Sequence, residues 1–145
     1  MRPETEEHLN RVEGAIAQAD HILGQHNYSD NSRTVIVIGL LATMIEHHGA
    51  MLLLIRNGRV GSAFALARSI VESMYRGMWI NACATEKEIH RFKADDRFPV
   101  SMLGTAKAID DAYRAHRFFE DLLKRGWAAL CSYTHSGMLQ LGRRF

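Results

Sequence analysis

The sequence SAFALARSIVESMYRGMWINA, at residues 62–82, decides the fold because it combines a broad apolar face with a line of charge. The spacing of its apolar residues predicts one amphipathic helix. Arg68, Glu72 and Arg76 follow one another at intervals of four residues, so they lie on one side of that helix. Ionised side chains beside a core are costly unless they are paired. We therefore expect this helix to hold both the centre of the fold and a candidate polar site.

The composition is that of one soluble, folded domain. The chain has 145 residues, of which 47% are hydrophobic and 23% are charged, so it can bury a core without disulfides or metals. We predict a single domain over residues 1–145. The formal charge of +2 is too small to indicate a nucleic-acid-binding protein by itself. Cys83 and Cys131 show no CxxC spacing, which favours a reduced chain and leaves a disulfide between them open.

Two stretches bear on localisation. The N-terminal MRPETEEHLN is charged and lacks the apolar run of a signal peptide. The most hydrophobic stretch, residues 35–55, carries Glu46, His47 and His48 at its middle, where a membrane span least tolerates them. We predict a cytoplasmic protein with no membrane partner, and we interpret this stretch as a central soluble helix.

Apolar periodicity predicts three long helices, over about residues 4–25, 32–56 and 62–82. Asn31 or Ser32 is placed to cap the second helix, and Ser62 is placed to cap the third. Gly58 is expected to end the second helix in a left-handed conformation. The short turn between the second and third helices makes them antiparallel neighbours.

Shorter helices are expected to follow. Thr85 and Glu88 have the spacing of a capping box, and Pro99 is placed to open the next helix. A last helix is expected from Tyr113 or His116 to Cys131. The predicted fold class is all-α, a single antiparallel helical bundle with three long helices and shorter C-terminal helices. The second helix has more apolar surface than a small bundle covers, so we also expect a homodimer.

The charged line on the third helix has two interpretations. As a structural feature, it is an intrahelical ladder worth about a few tenths of a kcal/mol per pair. As a functional feature, Arg68 and Arg76 bind a phosphate or carboxylate while Glu72 holds them in place. Glu72 is also a candidate general base.

Residues 132–135, Ser-Tyr-Thr-His, form a second polar cluster. Four consecutive hydrogen-bonding side chains are more than a turn requires, although Ser and Thr are also ordinary capping residues. If His135 folds back beside Arg68 and Glu72, it completes a His–Glu–Arg site. The catalytic residues that we predict are Glu72 and His135, and the predicted substrate-binding residues are Arg68, Arg76, Ser132 and Thr134.

Glu46, His47 and His48 form a third cluster, for which we expect a structural role. The HEXXH pattern is absent, and adjacent histidines on a helix point about 100° apart, so they do not easily share one metal. We predict no metal and no cofactor, and we keep a small-molecule or metal site at these three residues as an alternative. Phosphate-binding glycine loops, a nucleophile elbow and zinc-spaced cysteines are absent from the sequence.

The sequence ALARSIVESMYRGMWINACAT, together with the later SYTHSGMLQLGRRF, resembles an uncharacterised group of bacterial all-helical proteins, a domain family of unknown function. In that group a helix with Arg, Glu and an aromatic residue precedes a Ser/Thr–His–Gly segment. The matching residues are Arg68, Glu72 and Trp79, followed by Ser132, Thr134, His135 and Gly137. The resemblance covers roughly residues 58–145. More distantly, the group is similar to the HEPN class of helical bundles.

The HEPN resemblance implies an often dimeric protein that acts on RNA or a nucleotide in a defence or toxin–antitoxin system, with an antitoxin or defence partner. Active HEPN ribonucleases carry a closely spaced Arg-to-His motif late in the chain. Here Arg125 and His135 are too far apart, and the one pair at that spacing is Arg2 and His8. A ribonuclease site would therefore have to be rearranged around His135. The alternative is a non-catalytic, dimeric binding module in which the same residues form a structural polar network.

Overall fold

Helices make up most of the chain in a computed structural model, which describes residues 2–95, 97–135 and 137–142. No strand occurs among these residues, so the predicted all-α class is confirmed. The helices are α1 (Pro3–Gln25), α2 (Ser32–Arg56), α3 (Val60–Ala82), α4 (Glu86–Asp95), α5 (Met102–Tyr113), α6 (Phe118–Thr134) and the one-turn α7 (Met138–Leu141).

The predicted bounds of α1 and α2 are confirmed to within one residue, because their signals are local. The Asn31 side chain accepts the backbone N–H of Thr34 at 3.0 Å and caps α2. Gly58 has a φ of +70°, and the Arg59 N–H donates to the Leu54 carbonyl at 2.7 Å. This left-handed helix ending reverses the chain, so α3 packs along α2. The capping box at the start of α4 is also present.

Two predicted helix starts are wrong. Helix α3 begins at Val60, with Arg59 as its N-cap, so Ser62 lies inside the first turn and is not the cap. Helix α5 does not open at Pro99. It begins at Met102, because the Ser101 hydroxyl accepts the backbone N–H of Gly104 at 3.2 Å and caps the helix.

The last long helix lies later in the chain than predicted. Helix α6 begins at Phe118 and ends at Thr134, whereas the sequence predicted a start at Tyr113 or His116 and an end at Cys131. The connection before α6 contains three residues with positive φ, namely Arg114, His116 and Arg117. Because none of them is glycine, the sequence carries no signal for this left-handed connection.

The core lies around the C-terminal half of α3, which packs against α2, α5 and α6. Tyr75, Trp79 and Ile80 are buried there together with Ile109 of α5. Burial raises the pKa of Tyr75, and its neutral hydroxyl donates to the Phe119 carbonyl at 2.7 Å. This bond connects α3 to the start of α6.

Helix α2 is apolar, and most of its residues are only partly buried. Of its residues only Leu52 is buried, whereas Val35 is 56% exposed and Leu53 is 62% exposed. By length and composition, α2 is the one described helix that could cross a membrane. Val35, Leu41 and Leu53 thus leave apolar side chains of α2 exposed on the single chain.

Candidate functional site

The charged line of α3 is a connected group of three side chains. Arg68 Nε donates to Glu72 Oε1 at 2.8 Å, and Arg76 Nη2 lies 3.3 Å from Glu72 Oε2. All three side chains are partly buried, with between 19% and 33% of their surface exposed. Each carboxylate oxygen thus holds one guanidinium, and the group keeps one positive charge in excess.

An aromatic ring lies beneath each of these guanidinium groups. Arg68 Cζ is 5.2 Å from the ring centroid of Trp127, and Arg76 Cζ is 5.1 Å from that of Phe98. Both distances suit a cation–π contact, which restricts the orientation of the planar guanidinium. The sequence did not predict either ring, because these contacts join α3 to α6 and to the loop before α5.

His135 lies against Arg68 at the end of α6. Arg68 Nη1 contacts His135 Nε2, and the His135 backbone N–H donates to the Cys131 carbonyl at 3.0 Å. Because arginine supplies only donors, we assign His135 Nε2 as an acceptor and the neutral ring as the form that makes this contact. The structure therefore brings His135, Arg68 and Glu72 into one chain of contacts.

A close approach between Gly137 and Ser132 shapes the turn that presents His135. A Cβ atom on Gly137 would lie 2.3 Å from Ser132 Oγ and 2.9 Å from Ser132 Cα. The Gly137 N–H donates to the Ser132 carbonyl at 2.7 Å, and Leu139 N–H donates to the Ser132 hydroxyl at 3.2 Å. A side chain at position 137 does not fit beside Ser132, so the close approach of these two residues after α6 requires a glycine.

The two hydroxyl groups predicted to bind substrate have backbone partners. Ser132 Oγ accepts from Leu139, and Thr134 Oγ1 donates to the Leu130 carbonyl at 2.9 Å. These contacts are those of residues that end a helix. A substrate-binding role for Ser132 and Thr134 stays a prediction.

Glu46, His47 and His48 do not converge on one point. Glu46 is exposed and lines a groove of about 480 Å³ between α1 and α2, whereas the His48 ring contacts the Met44 carbonyl at 2.8 Å through Nδ1. Within the described residues, no group of three or more His, Cys, Asp or Glu side chains could hold a metal ion.

Sequence reasoning missed two arginines of α2 that join helices. Arg33 donates to the carbonyls of Ile80 and Ala84, at the C-terminal end of α3, and pairs with Glu86. Arg56 pairs with Glu13 of α1 through two nitrogens, at 3.0 and 2.9 Å. This hydrogen-bonded pairing lowers the pKa of Glu13. Arg33 lies at the start of α2 and Arg56 at its end, and neither has a charged partner four residues away on the helix, so their role depends on tertiary contacts.

The fold and the site together define an all-α helical protein with a basic polar site at the contact of α3 and α6. The family model of DUF6988, a family of unknown function, matches residues 41–145, and the chain belongs to that family. The matched region contains Arg68, Glu72, Arg76 and His135. No curated protein and no solved structure matches the chain. Membership confirms the predicted resemblance to a family of unknown function.

Proposed function

We propose that this protein is a HEPN-like bacterial protein that cleaves RNA in a defence or toxin–antitoxin system. The observation that supports the proposal is the contact between Arg68 and His135. It joins a candidate acid–base group to a guanidinium group, in a cluster where two arginines share one carboxylate. An excess of positive charge beside a histidine suits a phosphodiester substrate.

The chemistry proposed for His135 is proton transfer. A phosphate bound to Arg68 draws the guanidinium away from His135 Nε2, whose lone pair then accepts the proton of the ribose 2′-hydroxyl. The 2′-oxygen attacks the adjacent phosphorus, the P–O5′ bond breaks, and water supplies the proton to the leaving oxygen. Arg68 and Arg76 stabilise the charge that develops on the phosphate oxygens.

Glu72 has a positioning role in this proposal. Both of its carboxylate oxygens already contact arginines, at 2.8 and 3.3 Å. A carboxylate engaged in this way orients two guanidinium groups better than it accepts a proton from substrate. We therefore assign proton transfer to His135 and orientation of the arginines to Glu72.

Replacement of His135 by alanine tests catalysis. We expect RNA cleavage by purified protein to fall by about 10²- to 10⁴-fold, the usual contribution of a general acid or base. The melting temperature should stay within about 2 °C of the wild-type value, because His135 is exposed. His21→Ala is the matched control, since His21 is an exposed histidine of α1. Unchanged cleavage in His135→Ala would overturn the proposal.

A non-catalytic polar network is the second candidate. It is favoured by the backbone partners of Ser132 and Thr134 and by the saturation of Glu72. Under this alternative, His135→Ala lowers the melting temperature, and the wild-type protein does not cleave RNA. The two measurements on one variant therefore separate the candidates.

We also propose that two copies pair through α2 in the cytoplasm. The exposed Leu53 and Val35 support pairing, and an exposed Glu46 at the middle of α2 argues against a lipid environment. The free cysteines Cys83 and Cys131 agree with a reducing compartment such as the cytoplasm. A further proposed partner is an antitoxin or defence protein. Leu53→Glu should convert a dimer to a monomer in analytical ultracentrifugation, whereas Leu122→Glu on α6 should not. A wild-type monomer would contradict the proposal.

A further inference from the structure

Phe98 lies between the α3 site and a second group of arginines. On one side, the guanidinium of Arg76 lies 5.1 Å from the ring centroid of Phe98. Phe98 also lines a pocket of about 380 Å³ together with Arg91 and Arg97. The same residue therefore contacts the α3 site through its ring and lines the neighbouring pocket.

The ring of Phe98 is held firmly in this position. It makes edge-to-face contacts with Trp79 at 5.2 Å and with Phe92 at 5.5 Å between ring centroids. Trp79 is buried in the core around α3. Because the ring is packed on two sides, the Arg76 site and the pocket keep a fixed spatial relation.

The positive groups form a path rather than a point. Arg68 and Arg76 are eight residues apart on α3, which separates their backbones by about 12 Å along the helix axis. His135 lies at the Arg68 end of the path, and the pocket with Arg97 lies at the Arg76 end. The guanidinium groups of Arg68 and Arg76 meet at the two oxygens of Glu72, so one phosphate group can contact both, whereas the pocket with Arg97 lies beyond them.

Among the described residues, the carboxylates beside the path are fewer than the arginines. Glu72 pairs with Arg68 and Arg76, and Asp95 lies 3.6 Å from Arg91. Four arginines therefore lie beside two carboxylates of the described residues. The arginines are Arg68, Arg76, Arg91 and Arg97, and the carboxylates are Glu72 and Asp95. Exposed Arg97 belongs to a pocket whose other lining residues carry no acid.

We propose that the substrate is a single-stranded RNA chain whose backbone runs from His135 past Arg68 and Arg76 into the pocket formed by Phe98, Arg91 and Arg97. This inference rests on the proposed function, because it names the substrate class of the same site. A flexible polyphosphate backbone follows a basic path, and unstacked bases can contact an exposed edge of an aromatic ring. A mononucleotide would fill only one end of the path.

The test compares binding of chains and mononucleotides. The probes are a 2′-O-methyl RNA oligonucleotide, which lacks the nucleophilic 2′-hydroxyl, and a mononucleotide. Affinities are measured by fluorescence anisotropy and calorimetry over a range of salt concentrations. The variant is Arg97→Ala, and the matched control is Arg125→Ala, an exposed arginine that lines a different pocket on α6.

We expect Arg97→Ala to weaken binding of the oligonucleotide and to leave binding of the mononucleotide unchanged. The plot of log affinity against log salt should become shallower by about 0.7, the effect of losing one phosphate contact on a single strand. Arg125→Ala should leave the slope unchanged. Equal oligonucleotide slopes for Arg97→Ala and wild type would overturn the path.

Failure of the path and failure of the proposed function give different results. If wild-type protein cleaves RNA in a His135-dependent way and Arg97→Ala behaves as wild type, only the path is wrong. If wild-type protein neither binds the oligonucleotide nor cleaves RNA, the proposed function fails and the path fails with it.

Discussion

The arginines of α2 and those of α3 are used in opposite ways. The guanidinium groups of the α2 arginines donate hydrogen bonds to well-placed acceptors. Arg33 donates to carbonyls at the C-terminal end of α3, and Arg56 donates to the carboxylate of Glu13. Arg68 and Arg76 instead share one carboxylate and rest on aromatic rings. One nitrogen in each pair, Arg56 Nε and Arg76 Nε, is buried with no hydrogen-bond partner among the described residues, so the two pairs differ in their acceptors and not in this respect.

Under the proposed function, the difference separates arginines that stabilise the fold from arginines that are available to a ligand. A cation at the C-terminal end of a helix interacts favourably with the unpaired carbonyls and the helix dipole. Two cations that share one anion keep positive charge, and aromatic rings orient a guanidinium without neutralising it. We infer that the α2 pair serves stability and that the α3 pair serves binding.

Arg33→Ala should have the largest effect on stability. The substitution removes the contacts to Ile80, Ala84 and Glu86, so we expect the free energy of unfolding to fall by about 3 kcal/mol. RNA affinity of the folded protein should not change. Chemical denaturation followed by circular dichroism measures the loss, with the exposed Arg11→Ala as control. A change below about 0.5 kcal/mol would place Arg33 among ordinary surface charges.

Gly137→Ala should have the next largest effect on the free energy of unfolding. It should also reduce RNA cleavage at the α3 site. The added Cβ atom collides with Ser132, so the turn must open, with a cost of about 1–3 kcal/mol. We expect cleavage to fall by up to about 10²-fold, because His135 moves away from Arg68. Gly126→Ala, inside α6, is the control, since its Cβ atom would meet nothing within 4 Å. Full activity in Gly137→Ala would show that the turn does not position His135.

Glu13→Gln should have the smallest effect, visible only as a change in pH dependence. The hydrogen bond from Arg56 lowers the pKa of Glu13 in the folded state. Its contribution to stability is therefore complete above the unfolded pKa and is lost as pH falls through the folded pKa. Between about pH 5 and pH 3, wild-type protein should lose more stability than Glu13→Gln. Parallel curves from thermal melts would contradict this sign.

The sequence predicted features that depend on local signals. Asn31 and Gly58 bound α2 as expected, because a cap and a left-handed residue act within one turn. The spacing of Arg68, Glu72 and Arg76 likewise predicted their pairing on one helix face. The all-α architecture was predicted from the periodicity of the apolar residues.

Features that depend on tertiary contacts were missed or left open. The start of α6 follows a connection with positive φ at Arg114, His116 and Arg117, which only the folded chain requires. Phe98 and Trp127 reach the α3 arginines from distant parts of the sequence. The contact of His135 with Arg68 joins positions 67 residues apart, and no sequence pattern fixes such a distance.

The most direct test of the difference between the two arginine pairs is Arg76→Ala, with RNA affinity and unfolding free energy measured on the same preparation. We expect affinity for the 2′-O-methyl oligonucleotide to fall by at least about tenfold, as loss of a charged hydrogen bond would cause. The free energy of unfolding should change by less than about 1 kcal/mol, because Arg76 has one partly exposed ion pair. A loss of several kcal/mol with unchanged affinity would contradict the account and place Arg76 with the structural arginines of α2.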